Sequence, residues 1–344
     1  MTDRQEKILG GLLAAAIGDS MGAVTEHASR RKLEKDYGWV DTFIEPHESL
    51  KAKGHRIGLV TDDFSVAYYS ALPLIEHRQK VTRELAIEGL LRWNEQPLYA
   101  QCAGPTTITT INRLRGIPSP PSRGELLLCD NSRVTNGGGM KSGMMGLFNP
   151  GDPDAAVDDT ITLCGLTHDN TIALSAACAI AAATAKAFCP GASYLDLIEA
   201  GIYGAEQGYA RSLADFRPVA ASSISKRIAL AAEIGLAHQD DLHVAMEEIA
   251  DVIGCGLFAH ESIPAAFGYI AAARGRVMDC LYMAINAGDD TDTVACMTGF
   301  ITGAHCSSRD LSPRYLALID EVNHFDLKEM ACQIDAIAGN TPEA

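Results

Sequence analysis

The sequence predicts an all-α fold of many packed helices. Apolar residues recur at three- and four-residue spacing in segment after segment, alanine is abundant within those segments, and alternating runs of β-branched residues are scarce. The first helix is expected over Ile8 to Ile17, where glycine and alanine between the large apolar residues would admit a close neighbour. Phe64 to Ile75 and Leu85 to Trp93 follow, the former directly behind Thr61-Asp62-Asp63, residue types that suit a helix start. Thr171 to Phe188 is the most alanine-rich stretch, and Tyr194 to Tyr209 continues the pattern. Ser223 to Leu236, Leu242 to Ile253, Ile263 to Ala273 and Val277 to Ile285 form the next group. Val294 to Ala304, behind Asp290-Thr291-Asp292-Thr293, and Leu316 to Val322 complete the series. No short repeat marks a helical solenoid. Functional residues are therefore expected at helix starts and in the connections between helices.

A chain of 344 residues, 47% hydrophobic and 21% charged, can bury a large core. No linker or charge block divides it, so one domain over residues 1–344 is expected, with a Pro/Ser-rich surface loop at Ile117 to Arg123. The formal net charge of −16 opposes nonspecific binding to nucleic acid or anionic lipid, and it suits a protein that gathers cations. The apolar run after the polar N-terminus stops at Asp19, too soon for a membrane span, and no signal-peptide pattern is present. The ten cysteines lack a Cys-x-x-Cys pair and read as reduced core residues, which predicts a cytoplasmic protein without thiolate-bound zinc.

Two distant segments, Thr61-Asp62-Asp63 and Asp290-Thr291-Asp292-Thr293, combine carboxylates with a threonine hydroxyl. Each is a good helix cap; as a pair they also offer enough oxygen donors and charge for two hard divalent cations. Within Gly10 to Glu26, Asp19 reads as a structural acceptor, while Glu26, past the break at Gly22, is placed either in a cleft or in solvent. Thr135-Asn136-Gly137-Gly138-Gly139-Met140-Lys141-Ser142-Gly143 reads either as a flexible turn or as a stretch of bare backbone whose N–H groups could approach ribose or phosphate oxygens. His168, in Thr167-His168-Asp169, is a capping group, a core group or a ligand contact.

These residues, in this order, resemble the ADP-ribosylglycohydrolase family, from about Ile8 to about Ala304. The resemblance rests on Gly18-Asp19 with Glu26, Thr61-Asp62-Asp63, Asn136-Gly137 with Met140, Leu166-Thr167-His168, and Asp290-Thr291-Asp292-Thr293 before an apolar helix. It implies a compact multi-helix fold with a binuclear Mg²⁺ or Mn²⁺ centre in a central cleft. Thr61, Asp62 and Asp63 would flank one side of that centre, and Asp290, Asp292 and Thr293 the other. Glu26 would lie beside the scissile ribose carbon, with Glu26, Asp62 and Asp292 the catalytic acids. Asn136, Gly137, Gly138, Gly139, Met140 and His168 would hold ribose and phosphates.

The implied activity is hydrolysis of the N- or O-glycosidic bond joining ADP-ribose to a protein side chain or small acceptor. A nucleosidase acting on a small riboside and a catalytically silent, crystallin-like binding protein are the alternatives. Two departures bear on the choice. Gly288-Asp289 stands where the family has paired glycines, so Asp289 adds charge or shifts the register of the neighbouring ligand. Lys141 follows Met140 where the family commonly has arginine, and lysine lacks the planar fork that matches a diphosphate.

Overall fold

The computed structural model describes residues 1–118, 131 and 133–339. Among the described residues there are eighteen α-helices and no strand, in agreement with the periodicity. In chain order they are α1 (Asp3–Gly22), α2 (Arg30–Tyr37), α3 (Glu48–Lys51), α4 (Asp62–His77), α5 (Arg83–Asn94), α6 (Pro97–Ala100), α7 (Pro105–Leu114), α8 (Gly139–Phe148) and α9 (Pro153–Cys164). Then come α10 (Thr171–Lys186), α11 (Tyr194–Ser212), α12 (Ile224–Ala237), α13 (Leu242–Val252), α14 (Ala259–Ala272), α15 (Val277–Asn286), α16 (Thr291–Cys306), α17 (Pro313–Asn323) and α18 (Leu327–Ala338). Every helix expected from the sequence is present, most of them longer than the apolar run that marks them. Of the expected Pro/Ser-rich loop, only Ile117 and Pro118 fall among the described residues.

The centre of the molecule is built from helices that are apolar all round, which is what a fully surrounded helix requires. In α1 every residue from Ile8 to Gly22 is buried, in α10 every residue from Thr171 to Ala185, and in α16 every residue from Thr291 to Ala304. Contact between α1 and α16 is backbone on backbone. A Cβ at Gly303 would stand 2.2 Å from the Gly10 carbonyl oxygen, one at Gly299 2.5 Å from the Ala14 carbonyl carbon, and one at Gly22 2.4 Å from the Asp292 Cα. Interiors pack at crystal-like density, so this approach fixes the end of α1 against the start of α16 with little freedom.

Helix α8 corrects the expectation of a turn around the glycine run. Only Asn136–Gly138 form a 3₁₀ turn, and the helix begins at Gly139. The spacing of Gly139, Gly143 and Gly146 serves packing: added Cβ atoms would meet Met297 Sδ at 2.7 Å, Phe300 Cγ at 2.3 Å and Thr184 Cβ at 2.5 Å. Four further helices of eight or more residues lie outside the predicted set: α2, α7, α9 and α18. Helix α2 buries only Leu33, so it carries no apolar stripe to read.

Candidate metal and active site

Two helix starts and one helix end meet at a cavity of about 620 Å³. Thr61, Asp62 and Asp63 come from the start of α4, Asp290, Asp292 and Thr293 from the start of α16, and Glu26 from the turn after α1; all seven line the cavity.

At α4 the capping role and the acid cluster coexist. Thr61 is the N-cap, and its Oγ1 accepts the Asp63 amide at 3.2 Å while donating to Asp63 Oδ2 at 3.1 Å. Asp19, buried beneath, accepts the Thr61 amide at 2.8 Å and the Phe64 amide at 2.7 Å. With those helix-end donors satisfied, Asp63 Oδ1 is left buried without a hydrogen-bond partner.

At α16 a capping role explains less. Asp290 occupies the N-cap position but its side chain makes no capping bond to the helix; its Oδ2 accepts from Asn136 Nδ2 at 2.5 Å. Asp292 Oδ1 accepts the Thr293 amide at 2.9 Å. Thr291 turns away from the cluster, donating to the Gly22 carbonyl at 2.9 Å and standing 2.9 Å from Thr25 Oγ1, which ties the two segments together.

Glu26 stands with the second cluster. One oxygen from each of Glu26, Asp290 and Asp292 lies within 4.8 Å of the others. The neighbouring His27 Nε2 lies 3.0 Å from Glu26 Oε1. Glu26 is therefore in the cleft, half-buried, and close enough to share a cation with the two aspartates.

Burial drives the carboxyl pKa values upward across the cluster, because few compensating charges are near. Asp19 is raised to about 7, chiefly by burial and against the lowering effect of its two amide bonds. Asp62, Asp63 and Asp292 are raised well above the ordinary carboxylate range by burial and then by neighbouring acids. Glu26 and Asp290 are also raised, again mainly by burial; His27 opposes the rise at Glu26 and Asn136 the rise at Asp290. A site of oxygen donors with an unpartnered buried carboxylate oxygen and uncompensated negative charge fits hard divalent cations.

Opposite the acids, Asn136, Gly137, Met140 and His168 also line the cavity, whereas Gly138 and Gly139 do not. Those two glycines face Ala177 and Met297, so the expected open backbone is confined to Gly137. His168 is buried between Thr135 Oγ1, 3.1 Å from Nε2, and Thr167 Oγ1, 2.8 Å from Nδ1. Burial, followed by Lys141 and Arg133, lowers its pKa to about 3, so the imidazole is neutral.

The two departures from the family pattern resolve structurally. Asp289 takes a left-handed backbone with φ +65°, a conformation that glycine adopts freely. Its carboxylate lies near Gly256 and does not line the cavity, while Asp290 does, so the register of the acid cluster is kept. Lys141 is buried and donates to Thr167 Oγ1 at 2.9 Å, and it too is absent from the cavity wall.

Sequence reasoning missed the outer wall, made by His47, Lys53 and His55 around α3 and by Gln101, Cys102 and Thr106 before and at the start of α7. These residues carry no shared motif and reach the cavity only through the packing of short helices. Cys102 is exposed there, unlike the core cysteines Cys164, Cys178 and Cys296. No helix among the described residues is long and apolar enough to cross a membrane.

Comparison with known proteins agrees with the family pattern. The family model described as ADP-ribosylglycohydrolase matches residues 1–342. An uncharacterized protein, YegU of Escherichia coli (strain K12), is 29% identical over 333 residues, covering 95% of this chain and 96% of its own length. A solved structure described as an ADP-ribosylglycohydrolase-related protein complex superposes with a TM-score of 0.64 at 20% identity, covering 98% of this chain and 99% of its own. At that identity the likeness speaks for the fold. With the family model spanning nearly every residue, the chain belongs to the ADP-ribosylglycohydrolase family.

Proposed function

We propose that this protein is a metal-dependent glycoside hydrolase that cleaves the bond from C1 of ribose, releasing ADP-ribose from a protein side chain or a small acceptor. One observation carries the reading. Oxygen donors from two remote helix starts, together with Glu26, converge on a single cavity. Family and fold support a glycohydrolase. Thr61, Asp62 and Asp63 would hold Mg²⁺ or Mn²⁺ on one side, and Asp290, Asp292 and Thr293 on the other. Bound there, two such cations supply Lewis-acid polarisation and positive charge that orients hydroxyl oxygens.

The chain's own groups account for the remaining chemistry. Glu26, with its pKa raised, can hold a proton on a carboxyl oxygen and pass it to the departing heteroatom, or in its charged form take one from water. The carboxylate-rich floor stabilises the positive charge that develops on the ribose ring as the bond lengthens. Asn136 orients Asp290 by donating to it, and neutral His168 borders the site as a hydrogen-bonding group. A cytoplasmic setting belongs to the same reading, supported by nine described cysteines that are all free.

A second reading has its own observation. Lys141, in the place of the family's arginine, is buried under His168 and offers a diphosphate no direct contact, which favours a small riboside as substrate. Incubation with Mg²⁺ or Mn²⁺ and either ADP-ribosylated arginine and serine peptides or a panel of nucleosides, followed by mass spectrometry, separates the two. Free ADP-ribose supports the first reading, and turnover confined to nucleosides supports the second. With no hydrolysis of either class, both readings would be lost.

A further inference from the structure

We propose that Lys141 is a positioning residue for His168: through Thr167 it holds the imidazole in the neutral tautomer that carries its proton on Nε2, at the cavity wall. Lys141 sits in the first turn of α8, only 4% exposed, and pairs with no carboxylate among the described residues. Burial lowers the Lys141 pKa, and in its ammonium form the side chain can only donate, so at 2.9 Å the Thr167 Oγ1 accepts from it. The threonine proton then has two destinations, His168 Nδ1 at 2.8 Å and the Cys164 carbonyl at 3.3 Å.

Electrostatics decides between them. An Nδ1–H aimed at the same oxygen would place a second positive hydrogen beside the ammonium, whereas a lone pair on Nδ1 accepts the polarised hydroxyl. The shorter contact agrees with that direction. A neutral imidazole whose Nδ1 accepts carries its hydrogen on Nε2. That nitrogen lies 3.1 Å from Thr135 Oγ1, and both residues line the cavity. The adjoining edge of the ring is left clear by Gly137, where a Cβ would stand 3.1 Å from both Cε1 and Nε2. The relay thus fixes an uncharged Nε2–H that donates to Thr135 Oγ1 and leaves the Thr135 hydroxyl hydrogen to point to an oxygen of the bound sugar or its substituent. Lys141 contributes without touching the ligand. The kinetic consequence rests on the ribosyl-bond reading of the cavity; the tautomer does not.

The test is two-bond ¹H–¹⁵N NMR on the full-length chain labelled at histidine, with His168 assigned by His168→Gln. The wild type is expected to show Nε2–H. Lys141→Met and Thr167→Val should each populate the Nδ1–H form, and Thr167→Ser should restore the wild-type pattern. On a substrate that the wild type turns over, Lys141→Met should raise KM about tenfold, the scale of one oriented hydrogen bond, with a smaller change in kcat. A wild-type Nδ1–H form, or Nε2–H retained in both Lys141→Met and Thr167→Val, overturns the proposal. If Lys141→Met does not fold, the Thr167 pair decides. Since the NMR needs no substrate, a protein with the expected tautomers and no glycosidase activity sinks the functional reading and leaves the relay standing.

Discussion

Asp19 Oδ2 accepts the backbone amide of Phe64 at 2.7 Å, and through this bond α1 holds the start of α4 in place. The other oxygen takes the Thr61 amide at 2.8 Å, so one buried carboxylate satisfies two donors at the helix end that carries Asp62 and Asp63. Truncation strands both amides in the core. Asp19→Ala is expected to lower unfolding free energy by about 2–4 kcal/mol in urea titrations, since each unsatisfied buried donor costs about 1–3 kcal/mol. Asp19→Asn retains one acceptor and should fall between the two. Equal stability of Asp19→Ala and wild type would remove Asp19 from this role.

Gly22 makes the corresponding contact to the other acid cluster. A methyl group there would stand 2.4 Å from the Asp292 Cα, against backbone that cannot step aside cheaply. Gly22→Ala is predicted to destabilise by about 1–3 kcal/mol, the usual range for overpacking a tight interior. Because the strain falls on Asp292, cation affinity should weaken in the same variant. Calorimetry of a folded Gly22→Ala protein with undiminished affinity would show that the two helices do not set the site.

Much of this arrangement was legible beforehand, and the exceptions have physical causes. Helices such as α10 and α16 announce themselves by long alanine-rich apolar runs. The paired clusters at Thr61 and Asp290 stand out because carboxylates next to threonine at two helix starts are excessive for capping alone. The glycines from Gly137 to Gly143 misled, because a residue without a side chain serves an open turn and a tight helix contact equally well. The packing of Met297 against Gly139 and of Phe300 against Gly143 distinguishes them. Lys53 and His55 were invisible for another reason: their place on the cavity wall depends on how short helices fold back, and no local pattern encodes that.

The raised carboxyl pKa values make a signed prediction about pH. Asp19 titrates near 7 in the folded protein against an ordinary 3.8, so the folded state binds protons that the unfolded state has released. Such a group lends stability that is complete below its unfolded pKa and is lost as pH rises through the folded value. Asp62, Asp63 and Asp292 shift in the same direction. Protein stripped with EDTA should therefore lose stability from this cluster between about pH 5 and pH 8, while bound cations replace the protons. The rise in Tm on adding Mg²⁺ or Mn²⁺ should be larger at about pH 8 than at about pH 5.5. Thermal melts at both pH values with and without cation measure it, and a larger rise at the acidic pH would contradict the assignment.

Titration of Mn²⁺ into EDTA-stripped protein by isothermal calorimetry, on the wild type and on Asp62→Ala and Asp292→Ala, tests the two-cation site most directly. Saturable binding of two ions per chain, reduced in each variant, is the predicted result. A wild type that takes up no ion, or variants that bind as the wild type does, would contradict it.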